Sequence, residues 1–179
     1  MWTGKRTIQW SILLVSLVLV TCSSKGEPEK KQDEPDTAWW YTIEFKSAST
    51  IVHGFDLRAI DENWKLATAL DTSLLKGRIP EDDIQRFKQS ALSFSLISDV
   101  DGDGLSEELF VGVYETNESE KGRFVAITRK GRVLGHFKER GSSGFSALLQ
   151  ADGEIRWYKC MECGEFESIR WRDGAFILE

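Results

Sequence analysis

The sequence predicts an α+β domain in which an antiparallel sheet, a β-meander, fills the C-terminal half and one or two helices precede it. Three observations carry this. From Ala91 onward the apolar residues recur at every second position, the period of a half-buried strand. The dipeptides Lys130-Gly131, Asp152-Gly153 and Asp173-Gly174 separate strand-like runs. Two-residue connections of this kind suit tight hairpins, whose strands must be antiparallel neighbours. Upstream, two segments space their apolar residues as helices do.

Taken in order, "WWYTIEFKS" and "TIVHGFDLRAI" are rich in β-branched and aromatic residues and read as strands. In "DENWKLATALDTSLLKG", Trp64, Ala67, Leu70 and Leu74 fall at helical spacing, with Asp61 placed to cap the start and Gly77 the end. "IPEDDIQRFKQ" predicts a shorter helix. Pro80 suits its first turn, acidic residues gather near the positive end of its dipole, and Ile84 and Phe87 share a face. "ALSFSLIS" then alternates Leu92, Phe94 and Leu96 with serines. The strands "LFVGVYE", "RFVAITR", "RVLGHFKE", "FSALLQ", "EIRWYKC", "FESIRWR" and "AFILE" follow. Trp157 and Trp171 fall in adjacent expected strands and are placed to pair across a hairpin as core.

The N-terminus is not part of this domain. Lys5 and Arg6 precede the uncharged run "IQWSILLVSLVLV", a basic head and short apolar body that read as a secretory signal. The run ends in "LVTCSS", which resembles the lipobox of bacterial lipoproteins. The resemblance implies cleavage after Thr21 and lipid on Cys22. It implies a bacterial envelope location, with the outer membrane favoured because Ser23 replaces the Asp that signals inner-membrane retention in that family. Thr21 itself stands where the family usually has Gly, Ala or Ser.

Residues 1–21 contain two basic and no acidic residues, so the mature chain keeps 21 Lys and Arg against 29 Asp and Glu. So acidic a chain has no electrostatic footprint for nucleic acid and is repelled by anionic lipid, leaving the lipid as its expected membrane attachment. Residues 23–37, "SSKGEPEKKQDEPDT", hold eight charged residues, two prolines and no large apolar side chain. They cannot bury enough surface to offset their ordering entropy and are expected to form a tether, with residues 38–179 as a single domain.

The segment richest in chemistry is "SDVDGDGLSEELF", residues 98–110. Counting from Asp99, carboxylates fall at positions 1, 3 and 5 (Asp99, Asp101, Asp103) and at position 9 (Glu107), with Gly104 at position 6. Alternating carboxylates on a tight turn can wrap oxygens around one Ca²⁺, and the Leu105 carbonyl is placed to add another. A helix-flanked EF-hand is excluded: Phe110 stands where its bidentate Glu would be, and the flanks read as strands. The loop resembles those between strands of FG-GAP/VCBS repeats in integrin-like propellers, which run D-x-D-x-D-G-x-x-[DE]. The resemblance covers residues 96–114 in a single copy, so it implies the calcium site and not the propeller.

"YKCMECGEF" holds Cys160 and Cys163, the only thiols besides Cys22. In a secreted chain they are expected to form a local disulfide. Zinc would need two further ligands, and a thioredoxin-like pair would sit at a helix N-terminus rather than between β segments. "RGSSGFS" lacks a nucleophile elbow, and no phosphate loop occurs. The sequence thus reads as an envelope-anchored lipoprotein with a calcium-stabilised β-rich domain in a binding or structural role. A thiol–disulfide protein using Cys160 and Cys163, or a metal-dependent hydrolase, is the alternative.

Overall fold

A computed structural model describes residues 38–179; the leader, Cys22 and the expected tether lie outside the described residues. The described residues are mostly antiparallel strand, in three sheets. A short helix α1 (Trp39–Thr42) leads into an extended stretch and a small hairpin, β1 (Ile51–Val52) and β2 (Phe55–Asp56). Its turn is His53-Gly54, with φ of +50° and +80°. After a 3₁₀ turn, Leu57–Ala59, come β3 (Trp64–Ala69), a second 3₁₀ turn, Thr72–Leu75, and helix α2 (Glu81–Gln89). Then follow β4 (Ser95–Ser98), β5 (Glu107–Thr116), β6 (Lys121–Arg129) and β7 (Arg132–Arg140). The chain ends with β8 (Ala147–Ala151), β9 (Glu154–Tyr158), β10 (Phe166–Arg172) and β11 (Ala175–Leu178).

The largest sheet runs β3-β5-β6-β7, and β4 shares the outer edge of β5 with β3. The other large sheet runs β8-β9-β10-β11 in chain order. Ser93, just before β4, exchanges two backbone hydrogen bonds with Leu148 of β8, at 2.8 and 2.7 Å, so one segment touches both sheets. The three dipeptides expected to make hairpins do so. Each pairs a non-glycine at φ +47° to +54° with a glycine at φ +76° to +82°, the backbone of a type I′ turn.

β5 is buried on both faces, which explains its nearly unbroken apolar run. Leu109, Val111 and Val113 face a core shared with Val125 and Ile127 of β6, Ile84 and Phe87 of α2, and Ala147, Ile155, Trp157 and Ile169 of the second sheet. Phe110 and Tyr114 face the opposite way and join Phe124, Ala126, Val52, Leu57 and Trp64. The Trp64 and Tyr114 rings stack at 5.0 Å with an interplanar angle of 6°. Gly122 lets the strands close over that stack: a Cβ there would lie 2.1 Å from the Glu139 carbonyl and 2.7 Å from the Tyr114 ring.

Three expectations are corrected. Residues 61–77 are not a helix but β3 and a 3₁₀ turn. β3 carries a bulge between Trp64 and Leu66, where it pairs with β5. The extra residue puts Trp64 and Ala67, three apart, on one face of a strand, which imitates helical spacing. Trp39 and Trp40 do not begin a strand. A strand would turn adjacent side chains to opposite faces, whereas one helical turn sets Trp40 in the core and Trp39 edge-on to Phe145 at 5.1 Å. Trp157 and Trp171 do not pair. Trp157 is opposite Glu167 and buried, while Trp171 is opposite Phe176 and 39% exposed. The second expected helix is present as α2, with Ile84 and Phe87 inward.

Candidate metal centre

Residues 99–106 link β4 to β5, and the loop is pinned where Ser98 pairs with Glu107. Its shape comes from its own side chains. Asp99 Oδ2 accepts the Gly104 N–H at 3.0 Å, Asp101 Oδ1 the Asp103 N–H at 3.1 Å, and Asp103 Oδ1 the Leu105 N–H at 2.8 Å. The bonds of Asp101 and Asp103 are Asx-type turns, while Asp99 reaches across the loop to close it. Gly102 and Gly104 take φ of +73° and +86°, which residues with a Cβ adopt only at a cost.

Glu107 is the buried member. It has no exposed surface, and its Oε2 accepts the Val100 N–H at 2.7 Å. Its Oε1 has no partner within the loop and pairs instead with a guanidinium from β6. Asp99, Asp101 and Glu107 each bring an oxygen to a common point, these atoms lying within 4.8 Å of one another, a spacing one cation can bridge. Of the five residues expected as ligands, three therefore converge. Asp103 turns instead to an arginine, and Leu105 is held through its amide, with its side chain 45% exposed.

That arginine, Arg129, is the residue sequence reasoning missed. It ends β6, and its Nη1 lies 2.5 Å from Asp103 Oδ2 while its Nη2 contacts both Asp101 Oδ2 and Glu107 Oε1. The Asp103 hydrogen bond, and after it those of Asp101 and Glu107, outweigh desolvation and hold the guanidinium above its ordinary pKa. In return the Leu105 N–H and then Arg129 hold the Asp103 carboxyl below the usual range. One signal in the sequence pointed here. Four carboxylates in nine residues need a cation nearby, and a side chain can supply it as well as an ion.

A cleft of about 350 Å³ opens beside Arg129 and Asp101. Its walls are β7, at Leu134 to Phe137, and the β10–β11 hairpin, at Trp171 and Phe176. Leu134 is the extra residue of a β-bulge, since Thr128 pairs with Val133 and Ile127 with Gly135. The bulge turns Leu134 into the cleft, and Gly135 leaves room in front of Phe176.

Cys160 and Cys163 form a disulfide across 5.7 Å between Cα atoms, with Cys160 buried in the core. The loop is tied down by Glu162, 3.2 Å from Arg86 of α2. The two histidines go elsewhere. His53 stacks on Phe110 at 4.2 Å and meets Glu108 at 3.2 Å, and His136 lies 3.4 Å from Asp61. Among the described residues neither bonds to Ser142 or Ser143, and Asp99, Asp101 and Glu107 are the one group spaced to hold a metal. No described helix is long and apolar enough to cross a membrane. No family model, curated protein or solved structure matches the chain.

Proposed function

We propose that residues 98–107 bind a divalent cation, Ca²⁺ by the oxygen-only donor set, in a domain that serves a binding or structural role at a bacterial envelope. The observation that carries the reading is Glu107. Its carboxylate is fully buried beside Asp99 and Asp101, and among the described residues its only cationic partner is the Arg129 guanidinium, which it shares with Asp101 and Asp103. One guanidinium leaves this group of carboxylates net negative, a charge that a divalent cation would neutralise more fully. Asp99, Asp101 and Glu107 would hold the ion, which would supply charge neutralisation and order to the β4–β5 connection. The strand order of both large sheets supports treating the C-terminal half as a meander interrupted between Arg140 and Ala147. The lipobox-like "LVTC" supports anchoring through lipid on Cys22.

The test is a thermal melt with and without calcium. Extracellular calcium sites bind at about 10⁻⁴–10⁻³ M, so millimolar calcium adds roughly 0.4–1.4 kcal/mol. That is a rise of a few degrees in Tm. Asp101→Asn is expected to abolish the rise and Asp152→Ala, at another Asp-Gly turn, to keep it. If the wild type shows neither heat of binding nor a shift, Arg129 alone is the counter-ion and the segment is an acidic turn. Mass spectrometry of the mature N-terminus tests the anchor, which an unmodified terminus at Ser24 would refute.

A further inference from the structure

The cation site and the cleft beside it share Arg129. Its guanidinium contacts Asp101 and Glu107, and both residues also belong to the group spaced to hold a metal. Glu107 Oε1 is itself paired with Arg129 Nη2, so the guanidinium already occupies the buried side of the group. A metal ion bonded there and a guanidinium in its present place would be two cations within a few ångströms, and they would repel strongly. They exclude one another.

Arg129 is also imperfectly held. Its Nε is buried and donates to no partner. Beside it lies the 350 Å³ cleft that it already lines, walled by Phe137, Trp171 and Phe176. Trp171 is 39% exposed, so part of its ring surface is free to receive a cation, and guanidinium stacks well on indole.

We propose that Arg129 is an internal counter-ion that a divalent cation must displace, and that the cleft beside Trp171 receives the released guanidinium. The proposal rests on the cation reading of residues 98–107. It gives the loop two neutralised states, one closed by the arginine and one by the metal, so the domain stays folded in either. It also sets selectivity. A monovalent ion replacing a guanidinium gains no charge, whereas a divalent ion does, so sodium and potassium do not open the site. The bulge at Leu134 acquires a purpose, because it sets an apolar wall opposite the receiving indole.

Calorimetric titration of the full-length chain in detergent with calcium chloride tests this, comparing wild type with Arg129→Gln. Removing the competing charge is expected to tighten calcium binding at least about tenfold. In the wild type, calcium should also change tryptophan fluorescence, and Trp171→Phe should remove that change while leaving affinity within about twofold. Equal or weaker binding by Arg129→Gln overturns the displacement and leaves the cation site standing. Absence of binding in both proteins overturns both. Should Arg129→Gln fail to fold, the fluorescence arm decides: a calcium-dependent signal that survives Trp171→Phe, or no signal despite binding, overturns the proposal.

Discussion

Arg129 Nη2 touches Oε1 of Glu107, a carboxylate with no exposed surface at the start of β5, across 22 residues of chain. The same Glu107 secures the Val100 N–H through its other oxygen, so it joins loop, sheet and guanidinium at one point. Removing it leaves two donors short of a partner. Glu107→Ala is expected to cost about 3 kcal/mol, the usual penalty for breaking a buried pair from one side. Asp103→Ala, at a carboxylate 44% exposed, should cost under about 1 kcal/mol. Urea unfolding measures both, and equal losses would show that Glu107 is not the anchor.

A second ionic cluster gives a pH signature. Asp61 lies 2.5 Å from Lys138 Nζ and 3.4 Å from His136 Nε2, and it accepts the Asn63 N–H at 3.0 Å. Burial pushes its carboxyl up, but Lys138 and the Asn63 amide outweigh this and hold it below its ordinary value of 3.8. A depressed native pKa contributes stability above the unfolded pKa, which is lost as pH falls through the native one. Asp61→Asn is therefore expected to be less stable than wild type at neutral pH. The gap should close below about pH 4. Melting curves across that range check it, and a gap independent of pH would refute the assignment.

Gly122 separates close approach from ordinary loop freedom. Gly122→Ala drives a methyl into the Glu139 carbonyl and the Tyr114 ring, where backbone cannot yield cheaply. It is expected to destabilise the domain by about 3 kcal/mol or to prevent folding. Gly164→Ala meets nothing within 4 Å and has no positive φ, so its effect should stay within about 0.5 kcal/mol. Similar behaviour of the two variants in chemical denaturation would contradict the packing described for β6.

The disulfide closes so small a loop that chain entropy assigns it only about 2 kcal/mol. Its two ends differ, however: Cys160 is buried in the core and Cys163 sits partly out. Cys160→Ser also buries a hydroxyl and is expected to cost about 1–2 kcal/mol more than Cys163→Ser. Thermal unfolding of both variants reads the difference. Alkylation of the folded, unreduced protein should label neither thiol.

Local rules made much of this protein legible in its sequence. Type I′ turns need φ above zero at two successive residues, so Lys130-Gly131, Asp152-Gly153 and Asp173-Gly174 announced their hairpins within two positions. Alternation placed β4, runs of β-branched and aromatic residues placed the strands after it, and the pattern of Ile84 and Phe87 after Pro80 placed α2. The turns that Asp101 and Asp103 make with their own backbone, and the bond by which Asp99 closes the loop, are equally local. Tertiary structure decided the rest. The bulge opposite β5 made a strand of residues with helical spacing, because pairing with β5 outweighed a weak helical preference. Register sent Trp171 to the surface beside Phe176 while Trp157 stayed inside. Arg129 reached the acidic loop only because β6 runs antiparallel to β5, bringing the end of one strand beside the start of the other. No window of a few residues contains that pairing: it is a property of sheet register, summed over eight opposed positions, and no residue states it alone.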